Sequence, residues 1–358
     1  MKFIHCSDLH LDSKMEQLSS EKSKARREEI LRTFEKLCEY AKINDVKAVI
    51  IAGDMFDTSR VLVKTRQRVL SAISSATGVD FLYLSGNHDD DNFISQTEIL
   101  PENLKVFTDE WATYSYGDVK ISGVKFTNTN APFIADTLSL REEDFNIVTL
   151  HGQVAGYNSK ERAEIISIPA FKNKHIDYMA LGHIHTYAKG EIDQRGEYAY
   201  SGTLDGRGFD ELGQKGFVLI DVMCGKANFE FVNFSSRNLY EHTFDVQEYT
   251  TFIEAREELI KQLTANYSKD SLIKVVLVGA HKPDFDIDKE RLTDRLNELF
   301  FFAKVYDKTE LKIEIEDYLL DKSVRGEFVR AVWESNLDSE QKKKVILCGL
   351  SALKGEEI

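Results

Sequence analysis

The sequence lacks the basic excess that lets a protein grip a polyanion unaided: 46 Lys and Arg face 60 Asp and Glu across 358 residues, a formal charge of −14. Cysteine is sparse as well. The four Cys (Cys6, Cys38, Cys224, Cys348) are widely spaced with no CxxC pair, which argues against a disulfide framework or a thiolate zinc site and fits a reducing, cytoplasmic setting. No apolar run approaches the ~20 residues of a membrane span. The apolar stretch at the N-terminus is broken by His5 and Asp8, far short of a signal-peptide core. Neither export nor membrane insertion is expected. Internal repeats and low-complexity tracts are missing too. What is present, 42% hydrophobic and 30% charged residues, is an ordinary globular composition long enough for two or three folding units.

Five short apolar runs have the length of buried strands: Lys2 to Cys6, Ala48 to Ala52, Phe81 to Leu84, Ile147 to Leu150 and Tyr178 to Leu181. Each ends in a cluster of Asp, Asn or His. Between the first two, Ile30, Leu31, Phe34, Leu37 and Ala41 form one helical stripe, and a second helix is expected from about Val63 to Ala76. Strand, helix, strand, helix, strand is the pattern of parallel pairing through crossover helices. After Val119 shorter β-rich segments follow closely, namely Val119 to Val124, Glu197 to Ser201, Gly216 to Val222 and Ala227 to Val232. They predict a second, mixed sheet packed on the first. Past a polar stretch at Ser235 to Asn238 the pattern reads as a small α/β unit, with strands at Tyr240 to Val246, Leu272 to Val278, Ala303 to Tyr306 and Leu311 to Ile315. Its helices are expected at about 250–266 and 287–301. Two helical patterns close the chain, one carrying Phe328, Val329, Val332 and Trp333, the other Val345, Ile346, Leu350 and Leu353.

Candidate metal ligands recur at the strand ends: Asp8 and His10 in SDLH, Asp54 and Asp57 in GDMFD, Asn87, His88 and Asp89 in GNHD, His151 in HG, His183 and His185 in GHIH. Residues leaving the carboxyl ends of parallel strands emerge on one edge of a sheet, so positions far apart in sequence can surround one point. A mixed carboxylate, amide and imidazole set suits two divalent cations of the manganese, iron or zinc type and not calcium, which takes oxygen alone. A single Gly-Asp or Gly-Asn-His is more often turn chemistry. Five clusters in order, each just past an expected strand, are another matter.

These motifs resemble those of the calcineurin-like metallophosphoesterases, DxH, GDxxD, GNH(D/E), H and GHxH in this order, over about residues 1–210. Within them the chain is similar to the nuclease subunit of SbcCD-type DNA repair complexes, the YhaO-like branch. GNHD in place of GNHE, YSGT followed by GRGFDELGQKGFVLIDV, and the small α/β unit with terminal helices carry that finer likeness. The resemblance implies an α/β (α+β) fold, a four-layer αββα sandwich with a small α/β capping domain and C-terminal helices. It divides the chain into a nuclease domain (1–238), a cap (239–322) and a helical partner-binding segment (323–358). It further implies that Asp8, His10 and His185 hold one metal, Asn87, His151 and His183 the other, with Asp54 bridging them. His88 would act beside the metals as a proton donor or charge stabiliser, while Asp57 and Asp89 orient imidazoles. The implied activity is two-metal hydrolysis of DNA phosphodiesters, exonuclease or endonuclease, with manganese as the first choice of metal. The implied partners are DNA, an SMC-like ATPase and a second copy of the chain. Alternatives are a phosphoesterase for cyclic nucleotides or other small phosphate esters, and a non-catalytic metal-bearing scaffold.

Other features have blander readings. His5, His175, His242 and His281 are taken as structural or surface residues. Lys22, Lys24, Arg26 and Arg27, and Arg60, Lys64, Arg66 and Arg68, lie close enough after metal motifs to meet phosphates, but such runs are more often solvated helix faces. Arg207 either fixes a loop beside the metals, where it would contact substrate, or pairs with Asp210 or Glu211. The run Phe300 to Phe302 reads as core packing. Half of the net charge falls after residue 240, in one third of the chain, which leaves the catalytic part nearer neutral and points to a partner that supplies basic surface.

Overall fold

In a computed structural model, all residues are described except 16–17, 58–60, 90–91, 96, 98, 128, 157–164, 283, 313–315 and 355–358. Two units result, Met1–Tyr240 and Glu241–Ile358. The first opens with β1 (Lys2–Cys6), α1 (Ser20–Ile43), β2 (Val46–Ala52), α2 (Val63–Ser75) and β3 (Asp80–Leu84), followed by the turn α3 (Asn92–Ser95) and β4 (Leu104–Val106). β1 to β4 pair in parallel in sequence order, as the alternation with helices requires. The Ser19 hydroxyl caps α1 by accepting from the Lys22 amide. The helix buries Ile30, Leu31, Phe34, Leu37, Cys38 and Ala41 against Ile4, Val49 and Ile51 of the sheet. Each of the larger ones, Ile30, Leu31, Phe34 and Leu37, contributes about 1.5–3 kcal/mol when fully buried.

A second sheet takes β5 (Ala112–Tyr116), β6 (Val119–Gly123), β7 (Phe145–His151), β10 (Tyr178–Gly182), β11 (Ala188–Glu191) and β12 (Glu197–Tyr200), with a short ribbon of β8 (Gln153–Val154) and β9 (Ile165–Ile166) beside it. The strand pleat sends alternate residues to opposite faces. Phe3, Ala48, Ile50, Leu82, Ile147, Tyr178 and Ala180 fill the space between the sheets. Val148, Leu150, Met179 and Leu181 face the other way, under the 3₁₀ turns Ala131–Phe133 and Ile168–Phe171. His5 lies between the sheets, its Nδ1 2.9 Å from the Tyr178 hydroxyl and its Nε2 3.1 Å from the Leu181 carbonyl. The layer order is helix, sheet, sheet, and a thin cover of short turns among the described residues.

Two expectations are corrected. β13 (Gly216–Met223) and β14 (Lys226–Asn233) join the first sheet and not the second, β13 antiparallel to β1 and β14 antiparallel to β13. The ligand-bearing strands do not share one sheet edge either: β1, β2 and β3 belong to the first sheet, β7 and β10 to the second.

The second unit carries most of β15 (Leu239–Asp245), then α4 (Phe252–Asn266), β16 (Leu272–Val278), β17 (Ala280–His281), α5 (Lys289–Leu299), β18 (Phe302–Asp307) and β19 (Glu310–Leu311). A three-stranded sheet, ordered β15, β16, β18, packs Phe244, Ile273, Val275 and Val305 on Leu259, Leu263, Leu292 and Leu296 of the helices. Phe300 is buried in this core, the packing role expected of the triple-Phe run. Part of the strand expected at 311–315 lies outside the described residues. A turn, α6 (Glu316–Leu319), precedes α7 (Val324–Trp333) and α8 (Ser339–Lys354), which bury Val329, Val332, Ile346 and Leu350 against one another and Tyr318. Val324, Trp333, Val345, Leu347 and Leu353 stay exposed.

Candidate metal centre

The loops after β1 and β2 run side by side, with the Asp8 amide donating to the Gly53 carbonyl, the His10 amide to Asp54 and the Leu11 amide to Met55, at 2.9–3.0 Å. Asp8, His10, Asp54 and His183 all have left-handed backbones, with φ of 52°, 43°, 52° and 101°. For residues with a Cβ this costs on the order of 1–3 kcal/mol each, and such strain persists where the surroundings hold it. Two motif glycines explain the close approach. A Cβ on Gly53 would lie 2.0 Å from His151 Nδ1, and one on Gly86 would lie 2.1 Å from Asp54 Oδ1.

Every expected ligand arrives at this point. His10 Nδ1 donates to Asp57 Oδ1 at 3.0 Å, and His185 Nδ1 lies 3.0 Å from Glu211 Oε1 and 3.3 Å from Arg207 Nη2. With its Nδ1 proton turned to Asp57, His10 presents an Nε2 lone pair, which faces His185 Nε2 at 3.1 Å. Asp8 Oδ1 is 4.0 Å from His185 Nε2. A second group lies alongside. His151 Nδ1 donates to the Ala52 carbonyl at 2.9 Å, which leaves its Nε2 lone pair 2.8 Å from Asn87 Oδ1 and 3.3 Å from Asp54 Oδ2. His183 Nδ1 is 3.2 Å from the same Asn87 oxygen. Asp54 Oδ2 stands between the groups, also 3.9 Å from His10 Nε2, and it is buried with no hydrogen-bond partner. Buried acceptors converging without donors are costly unless a cation joins them. The donor set of imidazole, carboxylate and amide oxygen therefore fits divalent metal ions of borderline softness, as the sequence led us to expect.

The electrostatics agree. Burial pushes the Asp54 carboxyl up, but His151, His10 and the His88 amide outweigh it and hold Asp54 well below the usual carboxylate range. Burial pulls the His151 imidazole down, yet Asp54 and Asp8 raise it to about 9. Glu211 follows the same pattern as Asp54: burial pushes it up, and Arg207 and His185 hold it down.

The remaining site residues divide. His88 lies partly exposed beside the cluster, its Nδ1 3.7 Å from Asp57 Oδ1 and its ring centre 5.1 Å from that of His10. Asp57 meets an imidazole as expected. Asp89 does not: its carboxylate accepts from the backbone amides of Met55, Phe56 and Gly86 at 2.9–3.1 Å, so it ties the loop after β3 to the loop after β2 and orients no ring. Arg207 donates to Glu211 through Nε and Nη2, the pairing one of its two readings named, and to Asp57 through Nη1. Arg26 is neither a phosphate contact nor a solvated residue. It is fully buried, bonded to Asp205, Glu29, Ser236 and the Gly206 carbonyl. Arg68 is engaged by Glu28 and Glu35, and Arg60 lies outside the described residues. The residue that sequence reasoning missed as an imidazole partner is Glu211, which it placed only opposite Arg207.

The calcineurin-like phosphoesterase profile matches residues 1–187. The chain belongs to the calcineurin-like phosphoesterases. It is a metal-dependent hydrolase of phosphate esters. Among curated proteins it is similar to the DNA double-strand break repair protein Mre11 of Aeropyrum pernix, 24% identical over 87% of this chain and 80% of that protein. It is also similar to Mre11 of Saccharolobus solfataricus, 23% identical over 100% of this chain and 96% of the relative. The metallophosphoesterase YhaO of Bacillus subtilis is 26% identical over 64% of this chain and 60% of its own length. No helix among the described residues is long and apolar enough to cross a membrane.

Proposed function

We propose that the chain is a two-metal phosphodiesterase that cleaves DNA, as exonuclease or endonuclease, in DNA repair. Asp8, His10 and His185 would hold one ion, Asn87, His151 and His183 the other, and Asp54 both. The observation that carries the chemistry is the partnerless Asp54 Oδ2 between two groups of inward lone pairs. Divalent cations there, manganese first and iron or zinc as alternatives, would polarise the phosphoryl group and activate the attacking water. The chain's own part is to fix the ligands through Asp57, Glu211 and the Ala52 carbonyl, and to offer His88 as a donor to the leaving oxygen.

DNA as substrate is supported by similarity to repair proteins that extends beyond the metal-bearing unit, over 87–100% of the chain. On this reading residues 1–238 are the nuclease domain, 239–322 a cap and 323–358 a segment for an SMC-like ATPase. The exposed Trp333, Val345, Leu347 and Leu353 on α7 and α8 and the acidity of the chain support such a partner, and a homodimer belongs to the same proposal. The test is purified protein with Mn²⁺ on single-stranded and duplex DNA beside bis-p-nitrophenyl phosphate and cyclic nucleotides. Cleavage of DNA is expected. Cleavage of the small esters alone would replace the DNA reading with a small-substrate phosphoesterase, and cleavage of nothing by metal-loaded protein would leave a scaffold.

A further inference from the structure

We infer that Glu211, clamped by Arg207, is the positioning residue of His185 and sets the strength of one half of the metal centre. The inference rests on the assignment of Asp8, His10 and His185 to one ion. An imidazole binds metal through the nitrogen that carries no proton, and which nitrogen that is depends on what the other one meets. Here His185 Nδ1 has two neighbours of opposite demand: Glu211 Oε1 at 3.0 Å, which needs a proton from it, and Arg207 Nη2 at 3.3 Å, which would need a lone pair. The carboxylate is nearer. Arg207 also has other work, because its Nε and Nη2 donate to Glu211 Oε1 at 2.8 and 2.6 Å and its backbone amide to Oε2 at 2.7 Å. The carboxylate is thus held at both oxygens, with Oε1 placed 3.0 Å from His185 Nδ1.

The same device serves His10, through Asp57, and Arg207 Nη1 reaches Asp57 Oδ1 at 3.2 Å. One guanidinium therefore spans the two carboxylates that back the two imidazoles of a single ion. His151, on the other side, is backed by the neutral carbonyl of Ala52. A carboxylate behind an imidazole raises its basicity and holds its ring, an effect on metal affinity of about 10–100-fold. Losing Glu211 should weaken the half built on Asp8, His10 and His185 and leave the half built on Asn87, His151 and His183 as it was.

The test is calorimetric titration of metal-free protein with Mn²⁺, for the wild type and Glu211→Gln, with the His185 tautomer read from long-range ¹H–¹⁵N spectra of the metal-free forms. The wild type should take two ions with His185 as the Nδ1–H tautomer. The variant should bind one of them ~10–100-fold more weakly, keep the other unchanged and show mixed tautomers. If Glu211→Gln does not fold, the double variant Arg207→Met/Glu211→Met, which leaves neither member of that ion pair alone, carries the same titration. Unchanged binding of both ions, or equal loss of both, would overturn the inference. A wild type that takes up no Mn²⁺ would overturn the metal assignment beneath it.

Discussion

Asp54 Oδ2 sits 3.3 Å from His151 Nε2 in the interior of the strand-end cluster, and it has no hydrogen bond. A buried carboxylate oxygen in that state marks a place built for a cation, so Asp54→Ala should abolish metal uptake at both positions and with it all turnover. Elemental analysis of the purified variant checks the first, and hydrolysis of bis-p-nitrophenyl phosphate the second. The wild type should gain thermal stability on adding Mn²⁺, about 2.7 kcal/mol at a hundredfold excess over Kd. Asp54→Ala should gain none; a variant still stabilised by Mn²⁺ would show that the orphan oxygen is not the shared ligand.

On the proposed assignment His88 stands beside the metals and is not one of their ligands. Its Nδ1 lies 3.7 Å from Asp57 Oδ1 and its ring centre 5.1 Å from that of His10, and its backbone amide donates to Asp54 Oδ1. His88→Ala should therefore retain both ions while losing about 10²–10⁴-fold in kcat, the usual worth of a positioned proton donor. Metal content measured beside kcat decides it. Loss of metal in step with loss of rate would make His88 a ligand.

Arg26 predicts a stability effect where a sequence reading allowed a phosphate contact. Its guanidinium is buried with Asp205, so Arg26→Ala strands a charge and should cost about 3–5 kcal/mol. Lys24→Ala, at an exposed position, and Arg27→Ala, at a half-buried one on the same helix, should change stability by no more than about 0.5 kcal/mol. Urea denaturation of the three variants separates the cases, and an Arg26→Ala midpoint equal to wild type would return Arg26 to the surface.

The strands that carry ligands were legible because each is a short apolar run cut off by Asp, Asn or His, and both signals are local. Which sheet a strand joins is not local: β13 pairs with β1 across more than two hundred residues and brings β14 with it, and nothing in their composition says so. The polar edge strand β11 has no apolar alternation to betray it. Arg26 did carry a signal, since it lies one turn before Ile30 on the apolar stripe of α1, but a charge on such a stripe is usually read as its border. Asp89 and Glu211 look alike in sequence, acidic residues just past a motif. Only the fold sends one to backbone amides and the other to an imidazole.

His5 should make the protein sensitive to acid independently of the metals. Burial between the sheets lowers its pKa from 6.5 to about 3, against the opposing pull of the Leu181 carbonyl. Between those two values the unfolded chain takes up a proton at His5 and the folded chain does not, so stability falls as pH drops from about 6.5 toward 3 and is fully present above that window. From pH 7 to pH 4.5 the cost from this one residue is about 2.5 kcal/mol. His5→Gln offers hydrogen bonds to Tyr178 and Leu181 but does not titrate. Its stability at pH 7 should be lower than that of the wild type, because it fits the space less well, and the gap should narrow or reverse at pH 4.5. Denaturation of both proteins at the two pH values, with chelator present to keep the metal site empty, measures that double difference. Parallel losses in the two proteins would mean that acid enters elsewhere.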